Sequence, residues 1–386
     1  VPRTSIAALA GVSLLLLAGC GGSSKHFTNA SAAGNTSTTN GSSSSSSAPL
    51  LAGLKTVSTL GSTVPANGDV NPYGIVVLPS SVGKLVAGNL LVSNFNDKAN
   101  NQGTGTTIVQ MTPTGKLSPF ATIDAKALPG SCPGGVGLTT ALNVLPGGYV
   151  VVGSLPTADG KSATAKAGCL IVLDSSGKVL KTIAGANIQG PWYSTAVSEG
   201  SKTTLFVSMA LNGGAARGAH KIDNSTVVRI VLESGEAQPP KVVSDKVIAN
   251  GIAWQDSPTA LVIGPTGLAL GSNGTLYLAS TLENRITAIP QATTRTTPAP
   301  AGGSTVSEGG HLKEPLGLAL APNGNIITTN AGDGNMVETT PSGQQVAVQT
   351  ADSKTGAGTL FGLAVAPDGK GIYFVDDGEN TLKLLH

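Results

Sequence analysis

Short apolar runs and polar turns alternate through the last third of the chain, and the arrangement is written three times. Gly264-Pro265-Thr266-Gly267-Leu268-Ala269-Leu270, a turn at Ser272-Asn273-Gly274, Leu276-Tyr277-Leu278-Ala279-Ser280 and Glu283-Asn284-Arg285-Ile286 make the first copy. Glu314-Pro315-Leu316-Gly317-Leu318-Ala319-Leu320, Pro322-Asn323-Gly324, Ile326-Ile327-Thr328-Thr329-Asn330 and Gly334-Asn335-Met336-Val337 make the second. Thr359-Leu360-Phe361-Gly362-Leu363-Ala364-Val365, Pro367-Asp368-Gly369, Ile372-Tyr373-Phe374-Val375-Asp376 and Glu379-Asn380-Thr381-Leu382 make the third. Each copy reads as strand, tight turn, strand, loop, strand. A period of about 45 to 50 residues of this kind predicts the blades of a β-propeller.

The same pattern, less regular, runs back through the chain. One blade opens at Asn71-Pro72-Tyr73-Gly74, a second near Gly137-Leu138, and a third at Gly190-Pro191-Trp192-Tyr193. In the third, strands are expected at 205–208, 227–232 and 241–244. Six blades follow, with seven as the alternative because residues 248–263 have room for further irregular strands. A lone strand pattern at 54–60 belongs to no blade, and the last blade has three strands, so the N-terminal strand is expected to complete it and close the ring. The fold class is all-β, with the propeller at 49–386. Gly74, Gly137, Gly267, Gly317 and Gly362 mark where innermost strands crowd the axis, and Tyr193 stands in that place in the third blade.

Ahead of the propeller the pattern changes. An apolar run at 6–17, behind one positive charge, is too short to span a membrane and reads as a signal peptide, residues 1–19. Residues 20–48 are Ser, Gly, Thr, Asn and Ala with almost nothing to bury. They read as a flexible tether spanning roughly 30 Å. The propeller then carries two cysteines, Cys132 and Cys169, flanking one blade; in an exported chain they form either a disulfide or two buried thiols. A formal charge of +2 over 386 residues offers no field for nucleic acid.

Leu17-Ala18-Gly19-Cys20 resembles the bacterial lipobox. The resemblance implies lipidation of Cys20 and a membrane-anchored, extracytoplasmic protein of the cell envelope. Gly21 after the cysteine favours the outer membrane where the cell has one. The repeat itself resembles the NHL family, in which Pro-x-Gly-Ile/Leu-Ala-Val, a turn, Ile-Tyr-Val-x-Asp and Asn-Arg-Ile recur in six-bladed propellers. The likeness is specific in the last three blades.

Long loops at 95–106, 155–168, 209–225, 123–135, 249–264 and 305–314 fall on the face where the chain enters each innermost strand, here called the upper face. That face is expected to be the working one, over the first three blades. There Tyr73, Trp192 and Tyr193 are candidates for stacking on a ligand, or else for packing between blades. Second-strand ends bring Asn94, Asn330 and Asp376 into adjacent blades. Gluconolactonase-like propellers resemble this, holding a divalent ion on carboxylate and Asn oxygens, although the Glu they use near a blade start has no counterpart here; the other role for these residues is bonding to backbone and water. Zinc and a catalytic triad find little support, since His220, His311 and terminal His386 are the histidines of the folded region. The first reading is a propeller lipoprotein that binds a protein or glycan partner through its upper-face loops, with no cofactor required. The alternative is a Ca²⁺-dependent gluconolactonase-like hydrolase or lyase at the channel mouth.

Overall fold

The computed structural model describes residues 48–212, 221–235, 238–353 and 358–386. The expected signal peptide, Cys20, nearly all of the tether and His220 lie outside the described residues. Among the described residues, no helix is long and apolar enough to cross a membrane.

Six antiparallel sheets form from the described strands, one per blade. Blade one is Val70–Val77, Leu90–Asn96, Thr107–Met111 and Leu117–Thr122. Blade two is Leu138–Leu145, Tyr149–Ser154, Cys169–Leu173 and Val179–Ile183. The last three blades begin at Pro265–Leu270, Pro315–Leu320 and Leu360–Val365, in the three repeated copies. Val57–Ser62 pairs with Thr381–Leu385 as the outer strand of blade six, so the N-terminal strand closes the ring.

Blade three departs from the expected lengths. Its outer two strands run from Ile222 to Gly235 and from Gln238 to Ser257, and a short fifth strand, Leu261–Ile263, pairs with the end of the second. The residues that left room for a seventh blade thus extend this ribbon above the upper face. Repeated register shifts between the two strands break the two-residue alternation from which strands are read.

Along each second strand, alternate side chains pack against alternate neighbours. Val92 and Leu90 join Tyr373, Val375 and Leu382 of blade six, whereas Leu91 joins Leu138, Val150 and Val152 of blade two. The core is therefore a set of apolar layers between blades. Buried hydroxyls stitch the layers near the axis. Ser93, Thr139, Ser208, Thr281 and Thr329 each donate at 2.8–2.9 Å to a carbonyl of the next blade's innermost strand. Ser93, Ser208 and Thr329 also accept the backbone N–H of Gly74, Tyr193 and Gly317. Glycine suits this place because a Cβ at Gly317 would lie 2.2 Å from the Phe361 carbonyl oxygen.

The seam from blade six to blade one is built differently. Gly362 sits beside Val375, which stands where blades one, three and five carry Ser93, Ser208 and Thr329. Closure falls instead to Asn380, in the left-handed region with φ 53°. Its Oδ1 accepts the Asn71 N–H at 2.7 Å, and its carbonyl accepts the Thr63 N–H at 2.9 Å.

Candidate functional site

The channel mouth on the upper face is filled. Tyr73 stacks on Phe95 and Phe361 with centroids 4.5 and 3.8 Å apart, and Trp192 meets Tyr73 and Phe95 edge-on at 5.8 and 5.3 Å. Tyr73 and Trp192 are each 1% exposed, so packing between blades is their role and neither offers a ring to a ligand. Tyr193 does occupy the glycine place, but it faces the other end of the axis. It lines a lower cavity of about 330 Å³ with Ile75, Leu268, Leu318 and Leu363, and burial pushes its hydroxyl up to about 12.

Long loops of the first three blades do meet over this plug. Leu155, Leu211, Trp254 and Leu261 join the aromatic cluster, and Trp254 Nε1 donates to Asn224 Oδ1 at 2.6 Å. Gln102 Nε2 donates to the Thr259 carbonyl at 2.7 Å, while Thr157 Oγ1 donates to the Gln102 carbonyl. Cys132 and Cys169 are bonded, Cα to Cα 5.1 Å, tying the loop before blade two to its third strand.

Asn94, Asn330 and Asp376 occupy equivalent strand ends yet lie in three different seams. By alternation from Val92, Ile326 and Phe374, whose neighbours are in the preceding blade, each of the three side chains faces backward round the ring. Asn94 Nδ2 donates to the Thr63 carbonyl and Thr107 Oγ1, and Asn330 Nδ2 to the His311 carbonyl and Asp333 Oδ1. Asp376 Oδ2 lies 2.6 Å from Lys383 Nζ. The three share no partner, and among the described residues no group of three or more His, Cys, Asp or Glu side chains is placed to hold a metal. They do not fit a common ion, because a convergent set would need all three to face the axis.

Beside the plug, over the blade six to blade one seam, is a polar cleft of about 520 Å³. Asn71 and Asn96, from the ends of paired strands in blade one, line it together with Lys98, Asn100 and Gln102 of the following hairpin. Asp377, Asn380 and Thr359 supply the blade-six side, and Thr259 of the blade-three loop reaches over. Asn71, Asn100 and Asn380 all adopt positive φ, 65°, 63° and 53°, a region that asparagine tolerates better than most residues.

Two features mark the cleft. Asn71 Oδ1, Asn96 Oδ1 and Gln102 Oε1 are buried without a hydrogen-bond partner, although Asn71 and Asn96 are 8% and 2% exposed. Buried amide oxygens are seldom left so; Asn94, Asn212 and Asn330 each have one elsewhere, and the cleft is lined by three residues that do. The second is Asp377, half-buried at the turn after the second strand. Burial, then the neighbouring negative charge of Asp376, pushes its carboxyl up to about 8. Below it, burial and the Asp377 charge hold the Tyr73 hydroxyl well above its ordinary value, an effect that the Asn71 side chain partly opposes.

The strand-end alignment selects Asp376; the carboxyl that opens on the cleft is the next one. A signal was present in Asp376-Asp377-Gly378, which puts one acid in the strand and the other in the turn. No protein-family profile and no curated protein matches the chain. The fold is similar to solved structures. One, from a structural-genomics effort that assigned it as a gluconolactonase, is 15% identical with a TM-score of 0.52, over 88% of this chain and 96% of the other. A gluconolactonase of Xanthomonas campestris is 14% identical with a TM-score of 0.54, over 87% and 91%. The chain is a six-bladed β-propeller with gluconolactonase-like structural neighbours.

Proposed function

We propose that the cleft between blades six and one is the active site of a hydrolase or lyase acting on a small, hydroxyl-rich carbonyl compound such as a sugar lactone. The carrying observation is that one polar cleft gathers a carboxyl with a raised proton affinity and three unpartnered amide oxygens. Turned toward the cleft that their side chains line, those oxygens suit the hydroxyl donors of a polyol, since each bond formed removes an existing desolvation cost. The gluconolactonase neighbours support this reading over a pure binding module.

In hydrolysis, ionised Asp377 takes a proton from water as the water oxygen bonds to the carbonyl carbon. The carbon–oxygen bond of the ester then breaks, and the proton passes to the departing oxygen. Lys98 lines the same cleft and supplies positive charge near the developing oxyanion. In elimination the same carboxylate takes a proton from the carbon beside the carbonyl. A carbon–carbon double bond forms as the bond from the next carbon to its oxygen breaks, and the proton passes to that departing oxygen. A carboxylate with its affinity near neutral pH is a stronger base than an ordinary one. No step is routed through a metal ion, because Asn94, Asn330 and Asp376 do not fit one.

We also infer that the propeller works outside the cytoplasm, tethered through Cys20. The lipobox-like residues and the Cys132–Cys169 bond support this, since structural disulfides persist in oxidising compartments.

A panel of aldono-lactones and simple esters, followed with a pH indicator, tests the catalytic reading. The native full chain is expected to turn over at least one substrate, with Asp377→Asn slower by roughly 10² to 10⁴-fold and Asn96→Ala raising KM. No turnover across the panel, or an unimpaired Asp377→Asn, contradicts it.

A further inference from the structure

Asp376, where the sequence pattern places a metal ligand, is already satisfied by a cation of the chain itself. Lys383 is 4% exposed and Asp376 0%. Lys383 Nζ lies 2.6 Å from Asp376 Oδ2 and 2.8 Å from Glu379 Oε2. The other Asp376 oxygen accepts the Glu379 N–H at 3.1 Å. A buried ammonium is costly unless paired, and here two carboxylates converge on it. Oxygens surround Ca²⁺ at about 2.3–2.6 Å, so the ammonium nitrogen sits close to where such an ion would lie.

We propose that Lys383 is a built-in counter-cation that takes the place of a divalent ion at this corner of the ring. With the ammonium present, one positive charge is shared by the two carboxylates. Without it both lose that cation, and a metal ion at the same point would restore positive charge between their oxygens. Asp377 lies beside the corner, next in the chain to Asp376. Truncating Lys383 to Ala removes the chain from Cγ to Nζ and leaves room for an ion with water ligands.

The test uses the full chain as native protein, as Lys383→Ala, and as Lys383→Ala/Asp376→Asn. Melting is followed in EDTA and in about 5 mM CaCl₂, with terbium luminescence as a second readout. The native protein is expected to melt at the same temperature in both, to within about 1 °C, and to give no terbium signal above solvent. Lys383→Ala is expected to melt lower in EDTA, to regain about 5 °C or more with Ca²⁺ by mass action, and to bind terbium. The double variant is expected to respond to neither. Native stabilisation by Ca²⁺, a Lys383→Ala protein indifferent to it, or a double variant that still responds overturns the proposal. If Lys383→Ala folds only when Ca²⁺ is supplied, the proposal stands; if it folds in neither medium, the proposal falls.

Discussion

Replacing Asp377 with Asn is expected to make the protein more stable, and only above acid pH. The folded protein holds the Asp377 proton until about pH 8, against an ordinary value of 3.8. The unfolded chain releases the same proton near pH 4. Between those values the folded state binds more protons than the unfolded state, so stability falls as pH rises and levels off beyond about 8. At 1.36 kcal/mol per pH unit the full interval corresponds to an upper limit of about 6 kcal/mol. Water reaches the half-buried carboxyl through the open cleft and screens much of this, leaving about 2 to 3 kcal/mol. Asn keeps the shape and cannot ionise. The two proteins should melt together at pH 4, with the variant higher at pH 8.5 by about 3 to 4 °C. Thermal and urea unfolding at both pH values measure the difference. An equal offset at pH 4 and pH 8.5, or a variant less stable at pH 8.5, refutes the claim that burial and Asp376 hold this proton. A residue whose loss stabilises the fold while abolishing turnover is one retained for activity.

Three further outcomes follow from particular contacts. Asn380→Ala removes the acceptor of the Asn71 N–H and places alanine at φ 53°; urea unfolding should show a loss of about 1 to 3 kcal/mol, and an unchanged midpoint would mean the seam closes without it. Glu338 is 0% exposed and accepts from the Leu51 N–H, Asn323 Nδ2 and Asn325 Nδ2, so Glu338→Ala should cost about 3 kcal/mol or more by leaving those donors unpaired, read from the shift in urea midpoint. The double replacement Cys132→Ser/Cys169→Ser should lower stability by about 2 to 4 kcal/mol, and the native protein should lose a similar amount in reductant while the variant loses none.

Much of the ring was legible because its constraints are local. Asn-Gly and Asp-Gly turns and the glycines at 74, 317 and 362 follow from backbone geometry that few other residues satisfy, so the blades they punctuate stand where the pattern puts them. The strand at 54–60 was legible as a closing element because an incomplete last blade leaves an unpaired edge. The outer strands of blade three are longer than the sequence pattern implies, because bulges break the alternation and because Asp223, Asn224 and Ser225 look like loop. The site was harder still. Whether Tyr73 and Trp192 face a ligand or one another depends on the diameter of the channel, which no local pattern encodes. Strand-end alignment placed Asn94, Asn330 and Asp376 at equivalent heights, but height does not give direction, and alternation along each strand turns all three backward into separate seams. Asp377 escaped notice because its importance rests on its surroundings. Asn71, Asn96 and Gln102 reach the cleft from a different blade, and Lys383 neutralises the neighbouring acid from seven residues away.

The most direct test of the catalytic account is the pH dependence of kcat/KM for lactone hydrolysis by native protein and Asp377→Asn, from pH 5 to 10 with the uncatalysed rate subtracted. The account predicts a native rate that rises with pH and levels off above about 8 as Asp377 ionises, with the variant slow and flat. A native profile with no inflection in that range, or one that the variant reproduces, would contradict it.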